Sequence, residues 1–367
     1  MNKSKSKIKL VFFSDTGARA SSLDHRGRLI ARELRKYGID SEAYAGRLEN
    51  NTLSVPNLKS YLSVVVRLKS CDILVLHRQG NLLAYLILLL SKLSGKKTIY
   101  DFDDALFVHE ASRHIMLHKV WYLCLASIIK RCDMVTAGSH VLVEYAGRLN
   151  SNVHLIPTGV DTSIFHPLSK ASRNEKEITI GWMGLANFHV ENLRLLTEPL
   201  AELSRRYPVR LKLVSALGVE EVKRMFQGIK TLSVDYGLDH MVALHEIPEL
   251  MSDFDISVAP LQSNAFSKGK CAMKVLESMA MGIPVVASAV GENNYVITDG
   301  VNGFLAATSE EWIRKLETLI QDETLRKTMG QKGLETVQEK GYTLEECGKR
   351  FGQLCHKLLG RQVFARD

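Results

Sequence analysis

Three charged residues in the segment 266–293 have the spacing of an anion-binding site. Lys270 and Lys274 are four residues apart, and Glu277 follows three residues later. On a helix, this spacing places all three side chains on one face. Because the first N–H groups of a helix also attract phosphate, the two lysines would neutralise a diphosphate while Glu277 accepts hydrogen bonds from sugar hydroxyls. The alternative interpretation is a solvated Lys/Glu face with ordinary ion pairing.

A predicted helix and a predicted strand must position these residues. Residues 272–281 have a helix-favouring composition, and Gly282 followed by Pro284 predicts the end of the helix. The β-branched run 285–287 predicts a buried strand behind it. We expect a flexible basic loop with Lys268 before the helix and a loop of small residues around Gly291 after the strand. Together these features favour the rim of a ligand site in a β/α unit.

The sequence DFDD at 101–104 is a second candidate centre. It follows the predicted strand 97–101, and ligands of parallel sheets bind at the carboxyl ends of strands. We therefore predict that Asp103 and Asp104 act on the substrate. Like charges this close predict a raised pKa for at least one carboxyl group, as a general base or a metal ligand requires. The alternatives are acidic residues at a helix N-terminus, or carboxylates paired with nearby arginines.

Other polar residues follow predicted strands at 15–17 and 77–79. A classical dinucleotide fingerprint needs GxGxxG after the first strand, and only Gly17 is present there. Further along, Arg26 and Arg28 lie in the predicted helix 22–37. Their side chains would contact either an anionic acceptor or solvent.

The net charge of +8 is unevenly distributed along the 367 residues. Residues 1–165 carry 23 Lys/Arg against 14 Asp/Glu, whereas residues 166–367 carry 25 against 26. This asymmetry predicts that the first half meets an anionic partner, such as a membrane surface, a lipid-linked phosphate or an acidic glycan. Nucleic acid is not expected, because no zinc spacing, helix-turn-helix signature or basic patch with interleaved aromatic residues is present.

The cysteines and the apolar segments bear on the compartment. Six cysteines without a CxxC pair argue against a zinc site and against a disulfide framework. The N-terminus lacks a secretory apolar region, and the most apolar run, 82–93, is shorter than the roughly 20 residues that span a bilayer. We therefore expect a cytoplasmic protein that can associate with the inner face of a membrane.

Strand-like runs alternate with helical patterns over the whole chain, which predicts doubly wound parallel sheets in an α/β protein. At 367 residues the chain is long enough for two domains. The polar segment 169–177 is the predicted linker. Strands are predicted at 8–13, 73–76, 97–101, 135–137, 154–156, 178–183, 210–215, 242–246, 256–260 and 285–287. Helices are predicted at 22–37, 82–93, 191–207, 272–281, 310–321, 325–340 and 344–359.

Several of these stretches resemble GT-B-type glycosyltransferases of the family-4 kind. Residues 275–287, VLESMAMGIPVVA, resemble the donor-sugar helix, in which a Glu precedes an LxxMAxGxPVVA-like run. Residues 299–305 resemble the DGxNGxL stretch that follows, and residues 157–167 resemble the PxGVDxxxFxP passage between the two domains. The family usually has a second Glu eight positions before Glu277, where this chain has Gly269. The chain is instead similar to a subgroup with a KGKC loop.

The resemblance implies a GT-B architecture of two Rossmann-like domains facing an interdomain cleft. Residues 1–165 would form the acceptor-side domain, residues 166–343 the nucleotide-sugar-binding domain, and the helix within 344–367 would pack back on the first domain. The implied enzyme is a glycosyltransferase that moves a sugar from a nucleoside diphosphate sugar to a glycan or lipid-linked acceptor in cell-envelope polysaccharide biosynthesis. Retention of the anomeric configuration is implied by the same resemblance.

The residues and the resemblance together predict two groups of site residues. The predicted catalytic residues are Asp103, Asp104, Lys270 and Glu277. The predicted donor-binding residues are Gly17, Gly184, Asn187, Ile247, Lys268, Lys274 and Gly291. The resemblance suggests that Ile247 presents backbone groups to the base, and that Gly184 and Asn187 contact the diphosphate in a turn where the family often has a basic residue. No metal and no cofactor is expected beyond the donor as co-substrate, because lysines would neutralise the leaving group.

Two alternative functions remain open. A sugar-nucleotide epimerase of the same architecture would carry more carboxylates and a paired arginine on the rim, which the sequence lacks. A non-catalytic sugar-nucleotide-binding subunit is favoured by the missing acid at Gly269. Release of nucleoside diphosphate only in the presence of an acceptor would indicate the transferase.

Overall fold

The computed structural model describes residues 7–14, 22–46, 58–108, 115–169, 177–214, 220–237 and 242–361. The predicted donor contact Gly17 lies outside these residues. The chain divides into two compact units. The first unit comprises Met1–Gly159, Gly269–Cys271 and Thr343–Asp367, and the second comprises Val160–Lys268 and Ala272–Tyr342.

The first unit contains a six-stranded parallel sheet in the order β2-β1-β3-β4-β5-β6. Its strands are β1 (Ile8–Ser14), β2 (Ile39–Ala45), β3 (Ile73–His77), β4 (Lys97–Phe102), β5 (Met134–Ala137) and β6 (Val153–Leu155). The central strand β3 is buried at every residue, as expected of a parallel strand covered on both faces. The order of the strands, with neighbours that are not consecutive in sequence, is that of a doubly wound sheet.

Helices connect these strands. The first helical segment consists of a π-helical turn at Leu23–Arg28, α1 (Leu29–Leu34) and a 3-10 turn at Arg35–Tyr37. The other helices are α2 (Leu58–Arg67), α3 (Leu82–Leu93), α4 (Ile115–Arg131) and α5 (His140–Gly147). The first helical segment ends at Gly38, which has the left-handed φ of +75° that favours glycine. Asn81 caps α3, since its side chain accepts a hydrogen bond from the N–H group of Ala84.

The second unit contains another six-stranded parallel sheet, in the order β12-β11-β10-β7-β8-β9. Its strands are β7 (Ile178–Met183), β8 (Val209–Val214), β9 (Ser233–Asp235), β10 (Ile256–Ala259), β11 (Val285–Ser288) and β12 (Phe304–Ala306). Its helices are α6 (Val190–Arg194), α7 (Thr197–Arg206), α8 (Glu220–Gln227), α9 (Ile247–Met251), α10 (Ala265–Lys268), α11 (Met273–Ala280), α12 (Asn293–Val296), α13 (Ser309–Gln321) and α14 (Glu323–Glu339).

The last helix, α15 (Leu344–Leu358), belongs to the first unit and packs on α1. Its buried face contributes Leu344 and Phe351 to the core formed by the first sheet. The ring of Phe351 lies 5.7 Å from that of Phe12 on β1, measured between centroids. The first unit is therefore built from both ends of the chain.

Two predicted elements of the second unit are wrong. The predicted helix 191–207 is two helices, α6 and α7. In one continuous helix, Pro199 would lack an N–H donor and would clash with the preceding turn, whereas at the third residue of α7 it costs little. The predicted strand 242–246 instead leads through a 3-10 turn at Leu244–Glu246 into α9. The Glu246 side chain accepts a hydrogen bond from the N–H group of Ala243, and Pro248 occupies the first turn of α9, where proline is favoured.

The predicted flexible loop around Lys268 is also partly helical. Lys268 is the last residue of α10, and the Asn264 side chain accepts a hydrogen bond from the N–H group of Ser267 at 2.8 Å. Among the described helices of both units, none combines the length and the apolar character required to cross a bilayer.

Candidate active site

The segment that carries the predicted donor-binding lysines is divided between α10, α11 and the three residues that precede Ala272. Helix α11 begins at Met273, after Ala272 with a left-handed φ of +54°. Lys274 and Glu277 lie three residues apart on this helix and share one face. The prediction that Lys270 shares that face is wrong, because the helical geometry does not extend back through Ala272. Lys270 instead belongs to the first unit.

Lys274 lies across the turn that follows β7. Its Nζ atom is 3.3 Å from Nε2 of His189 and 5.7 Å from the centroid of the Trp182 ring. Gly184 makes room for this side chain, since a Cβ atom at that position would stand 2.7 Å from Cε of Lys274. Gly184 also has a φ of +145°, in the range that favours glycine, so both the backbone conformation and the space require glycine there. Its N–H group donates to the carbonyl oxygen of Val214 at 3.1 Å.

Glu277 is an acid buried in the core of the second unit. Only 4% of its surface is exposed, and the adjacent residues Val275 to Met279 are buried with it. Burial raises the pKa of its carboxyl group to about 8, against an opposing effect of Lys274. At neutral pH this side chain can hold a proton, and it can therefore either donate to or accept from a sugar hydroxyl.

The other predicted donor contacts of the second unit lie on three separate elements. Gly291 has a left-handed φ of +55°, and a Cβ atom there would stand 2.4 Å from the carbonyl oxygen of Lys268, so these two predicted residues meet. Asn187 is exposed in a 3-10 turn at Ala186–Phe188. Ile247 begins α9 and is buried.

A buried polar network surrounds Asp101 at the end of β4 in the first unit. Arg26 donates to both carboxylate oxygens, at 2.9 and 2.5 Å. His77 lies 2.8 Å from Oδ2, and the Thr136 hydroxyl donates to Oδ1 at 2.6 Å. Nε2 of His77 is in turn 2.7 Å from the hydroxyl of Ser22. Both carboxylate oxygens of Asp101 are therefore engaged, and the residue connects β4 to β3, β5 and the first helical segment.

Asp103 and Asp104 are half-buried and share one guanidinium group. Nη1 of Arg78 donates to Asp103 at 3.2 Å and to Asp104 at 2.7 Å. Arg78 itself has a positive φ of 56°, which is uncommon for a residue with a side chain. Nζ of Lys270 donates to the second oxygen of Asp104 at 2.9 Å. The structure thus brings together three predicted catalytic residues: Asp103, Asp104 and Lys270.

The predicted rise in the pKa of this acidic cluster is wrong. Burial would raise the pKa of Asp101, but Arg26 and His77 hold it well below its usual range. Burial opposes ionisation of Asp103 as well, and Arg78 with His77 again leaves its pKa lowered. The alternative interpretation of carboxylates paired with arginines is the one observed. Arg26, predicted to meet an acceptor or solvent, is 3% exposed and is part of this network.

The loop Gly269–Cys271 belongs to the first unit and lies against the acidic cluster. The thiol of Cys271 donates to the carbonyl oxygen of Asp103, and Ser139 donates to that of Gly269. A Cβ atom on Gly269 would stand 2.6 Å from Cβ of Ala105. The packing of this loop therefore excludes a glutamate at 269, which explains why glycine occupies the position.

Some residues of these sites were not predicted. His77 and Arg78 lie at the end of a predicted strand, and this position indicated that they could belong to a site. Their pairing with the acids could not be predicted, because the acidic partners lie 24 to 26 residues away in sequence. His189 and Asn192 follow β7 in a stretch without a recognisable phosphate motif. In the described ranges, no group of three or more His, Cys, Asp and Glu side chains is arranged to hold a metal ion.

Comparison with known sequences finds a family model that matches most of the second unit. Residues 177–322 match the family model described as glycosyl transferases group 1, which confirms the predicted resemblance. A D-inositol 3-phosphate glycosyltransferase from Corynebacterium aurimucosum is 23% identical over 240 residues, which cover 59% of this chain and 55% of that protein. The chain thus spans about half the length of the curated relatives it matches.

Comparison with solved structures extends over both units. Sucrose-phosphate synthase from Thermosynechococcus elongatus has a TM-score of 0.72 at 16% identity, covering 96% of this chain and 99% of that one. Anabaena HepE in complex with UDP and glucose has a TM-score of 0.68 at 17% identity, covering 95% of this chain and 99% of the other. These likenesses confirm the predicted GT-B fold class, with two Rossmann-like α/β units.

Proposed function

We propose, from the match of residues 177–322 to the family model of group 1 glycosyl transferases, that this chain is a glycosyltransferase using a nucleoside diphosphate sugar. The observation that carries the proposal is the arrangement on α11. There the Lys274 ammonium group lies beside His189, and the buried acid Glu277 follows on the same helical face. This combination suits a diphosphate and a sugar bound side by side.

Departure of the diphosphate is the step that the second unit would assist. The bond between the anomeric carbon and the diphosphate oxygen breaks through an oxocarbenium-like state, and negative charge develops on the leaving oxygen. Lys274 and Lys268 would stabilise that charge, which is where electrostatic catalysis is most effective. Glu277 would bind a sugar hydroxyl. We propose that the lysines perform this task without a metal ion or a cofactor, the donor being a co-substrate.

Binding of the acceptor is assigned to the first unit. Asp103 and Asp104 are kept near Arg78 and Lys270, so their carboxylates can accept a hydrogen bond from an acceptor hydroxyl while the cations limit repulsion from an anionic acceptor. We propose a glycan or lipid-linked acceptor of cell-envelope polysaccharide biosynthesis. Retention of the anomeric configuration is proposed by analogy with the family.

A membrane-facing surface on the first unit supports a lipid-linked acceptor. Leu82, Leu86 and Leu90 recur at intervals of four residues along α3, and each is at least 44% exposed. Leu93 continues this face at the end of the helix, and Lys92 lies on the adjoining face. Exposed leucines next to a lysine fit the inner face of an anionic membrane, where the protein would be peripheral.

A turnover assay tests the transferase. A thermal-shift screen with a panel of nucleoside diphosphate sugars first identifies the donor that stabilises the protein. Release of nucleoside diphosphate is then measured with and without candidate acceptors. Release that depends on the acceptor supports transfer, whereas donor binding without any release indicates the non-catalytic subunit.

Variants connect that activity to one lysine of each unit, Lys274 of the second and Lys270 of the first. Lys274→Ala and Lys270→Ala are each expected to lower kcat/KM by about tenfold to a thousandfold. Lys327→Ala removes an exposed lysine from α14 and is the matched control. Equal activity of Lys274→Ala and the control, with both folded, would remove α11 from the proposed site.

Membrane association is tested separately by co-sedimentation with vesicles containing anionic lipid. Replacing Leu86 and Leu90 by serine is expected to reduce binding, and raising the salt concentration is expected to reduce it further. Binding that is insensitive to both changes would contradict the membrane-facing surface.

A further inference from the structure

His189 stands between an amide and an ammonium group in the second unit. Its Nδ1 atom is 2.9 Å from Nδ2 of Asn192, three residues later, and its Nε2 atom is 3.3 Å from Nζ of Lys274. The ring also packs edge-on against Trp182, with 5.7 Å between centroids. The imidazole is thus oriented by contacts on two sides.

The orientation of the Asn192 amide follows from its other contact. Oδ1 of Asn192 lies 2.8 Å from the backbone nitrogen of Gln262. A backbone N–H group can only donate, so the atom that faces it must be the amide oxygen. The Gln262 side chain strengthens this connection by donating to the carbonyl oxygen of Glu191 at 3.2 Å. The amide nitrogen of Asn192 therefore points at His189.

This orientation determines the tautomer of the imidazole. The amide nitrogen of Asn192 can only donate, so Nδ1 of His189 must be the acceptor. The neutral ring then carries its proton on Nε2. Nε2–H faces the Lys274 ammonium group, which also has only donors. Two donors at 3.3 Å do not bond to each other, but both can donate to one anionic oxygen.

We propose that Asn192 is a positioning residue that sets the tautomer of His189, so that His189 and Lys274 together bind one oxygen of the donor's diphosphate. The inference rests on the proposed function, because it assigns the anion to the leaving group. It names one residue that contacts the diphosphate, His189, and one that positions it, Asn192, in a stretch without the usual basic residue. Gly184 leaves the space in which the Lys274 side chain reaches His189.

The tautomer is measured directly by the ¹⁵N chemical shifts of the His189 ring. The expected spectrum shows a protonated Nε2 and an unprotonated Nδ1 in the wild type. Asn192→Leu, which keeps the size but removes the donor, is expected to give a mixture of both tautomers. A wild-type proton on Nδ1, or an unchanged spectrum in Asn192→Leu, overturns the inference.

Affinity is measured by calorimetry with inorganic pyrophosphate as the probe. His189→Leu and Asn192→Leu are each expected to weaken binding about tenfold, as for loss of one hydrogen bond to a charged group. His189→Gln places an amide N–H group near the position of Nε2 and is expected to retain affinity within about threefold. Arg194→Ala removes a nearby exposed cation and is the control for general electrostatics. Pyrophosphate binding that is equal in His189→Leu and the control refutes the proposal.

Failure of this inference is distinguishable from failure of the proposed function. The ring spectrum and the pyrophosphate affinity are measured without turnover. Intact pyrophosphate binding with the expected tautomer, but no sugar transfer to any acceptor, would refute the transferase alone. If sugar transfer is observed but His189→Leu binds pyrophosphate as tightly as the wild type does, the inference alone is refuted.

Discussion

The buried acid Glu277 makes the stability of the second unit depend on pH in an unusual direction. Its pKa in the folded protein is raised to about 8, from an ordinary value of 4.5. Between these two pH values the unfolded chain is ionised at this residue, whereas the folded protein keeps the proton. The unfolded state therefore binds fewer protons, and the free energy of unfolding falls as the pH rises through this window. Above about pH 8 the effect levels off.

Replacement of Glu277 by glutamine removes this dependence. Each pH unit in the window costs roughly 1.4 kcal/mol, so the wild type at pH 7 has lost about 3 kcal/mol relative to pH 4.5. Glutamine has nearly the same shape and no ionised form. Glu277→Gln is thus expected to be more stable than the wild type by up to about 3 kcal/mol at pH 7, and equally stable near pH 4.5. Its kcat/KM should fall, because the acid that we propose to bind the sugar is lost.

Urea unfolding at pH 5, 6, 7 and 8 measures the effect, with tryptophan fluorescence as the signal, since two of the three tryptophans, Trp182 and Trp312, lie in the core of the same unit. Glu339→Gln, on an exposed turn of α14, is the matched control and should follow the wild type at every pH. A difference between Glu277→Gln and the wild type that stays constant from pH 5 to 8 would refute the reasoning. A variant that is less stable than the wild type at pH 8 would refute it as well.

Two further substitutions test the packing around each site. Arg26→Met leaves the Asp101 carboxylate buried without its arginine and is expected to cost about 3–5 kcal/mol in urea unfolding, while the additional change Asp101→Asn should restore part of the loss. Gly184→Ala places a Cβ atom 2.7 Å from the Lys274 side chain, at a φ of +145° that favours glycine, and is expected to weaken pyrophosphate binding about tenfold in calorimetry. Gly228→Ala, whose Cβ atom would meet nothing closer than 3.9 Å, should bind as the wild type does.

The regular elements were predictable because their signals are local. The helix α3 and the strand β7 have the predicted bounds, since a continuous apolar run or a helical pattern is complete within its own segment. The end of the first helical segment at Gly38 was predictable for the same reason. The split between α6 and α7 had a local signal as well, in Pro199, but the surrounding leucine-rich pattern concealed it.

The contacts of the acidic cluster were not predictable, because they depend on residues far apart in sequence. Lys270 and Asp104 are separated by 166 residues, and Arg26 and Asp101 by 75. Charge spacing on one helix suggested that Lys270 would act beside Lys274. The left-handed conformation of Ala272 places it elsewhere, and no residue type in the sequence requires that conformation.

The acids of the two units have opposite electrostatic surroundings, and this difference suggests a division of roles. Arg78 is close enough to Asp103 to lower the pKa of its carboxyl group despite burial, so Asp103 is ionised and can only accept hydrogen bonds. Burial has the larger effect on Glu277, so its pKa is raised and it can hold a proton. When two carboxyl groups have different surroundings, their pKa values differ. One group can then be an ionised hydrogen-bond acceptor while the other keeps a proton and can donate. In the proposed function, the ionised Asp103 would accept a hydrogen bond from an acceptor hydroxyl, and Glu277, which can hold a proton, would bind a hydroxyl of the donor sugar.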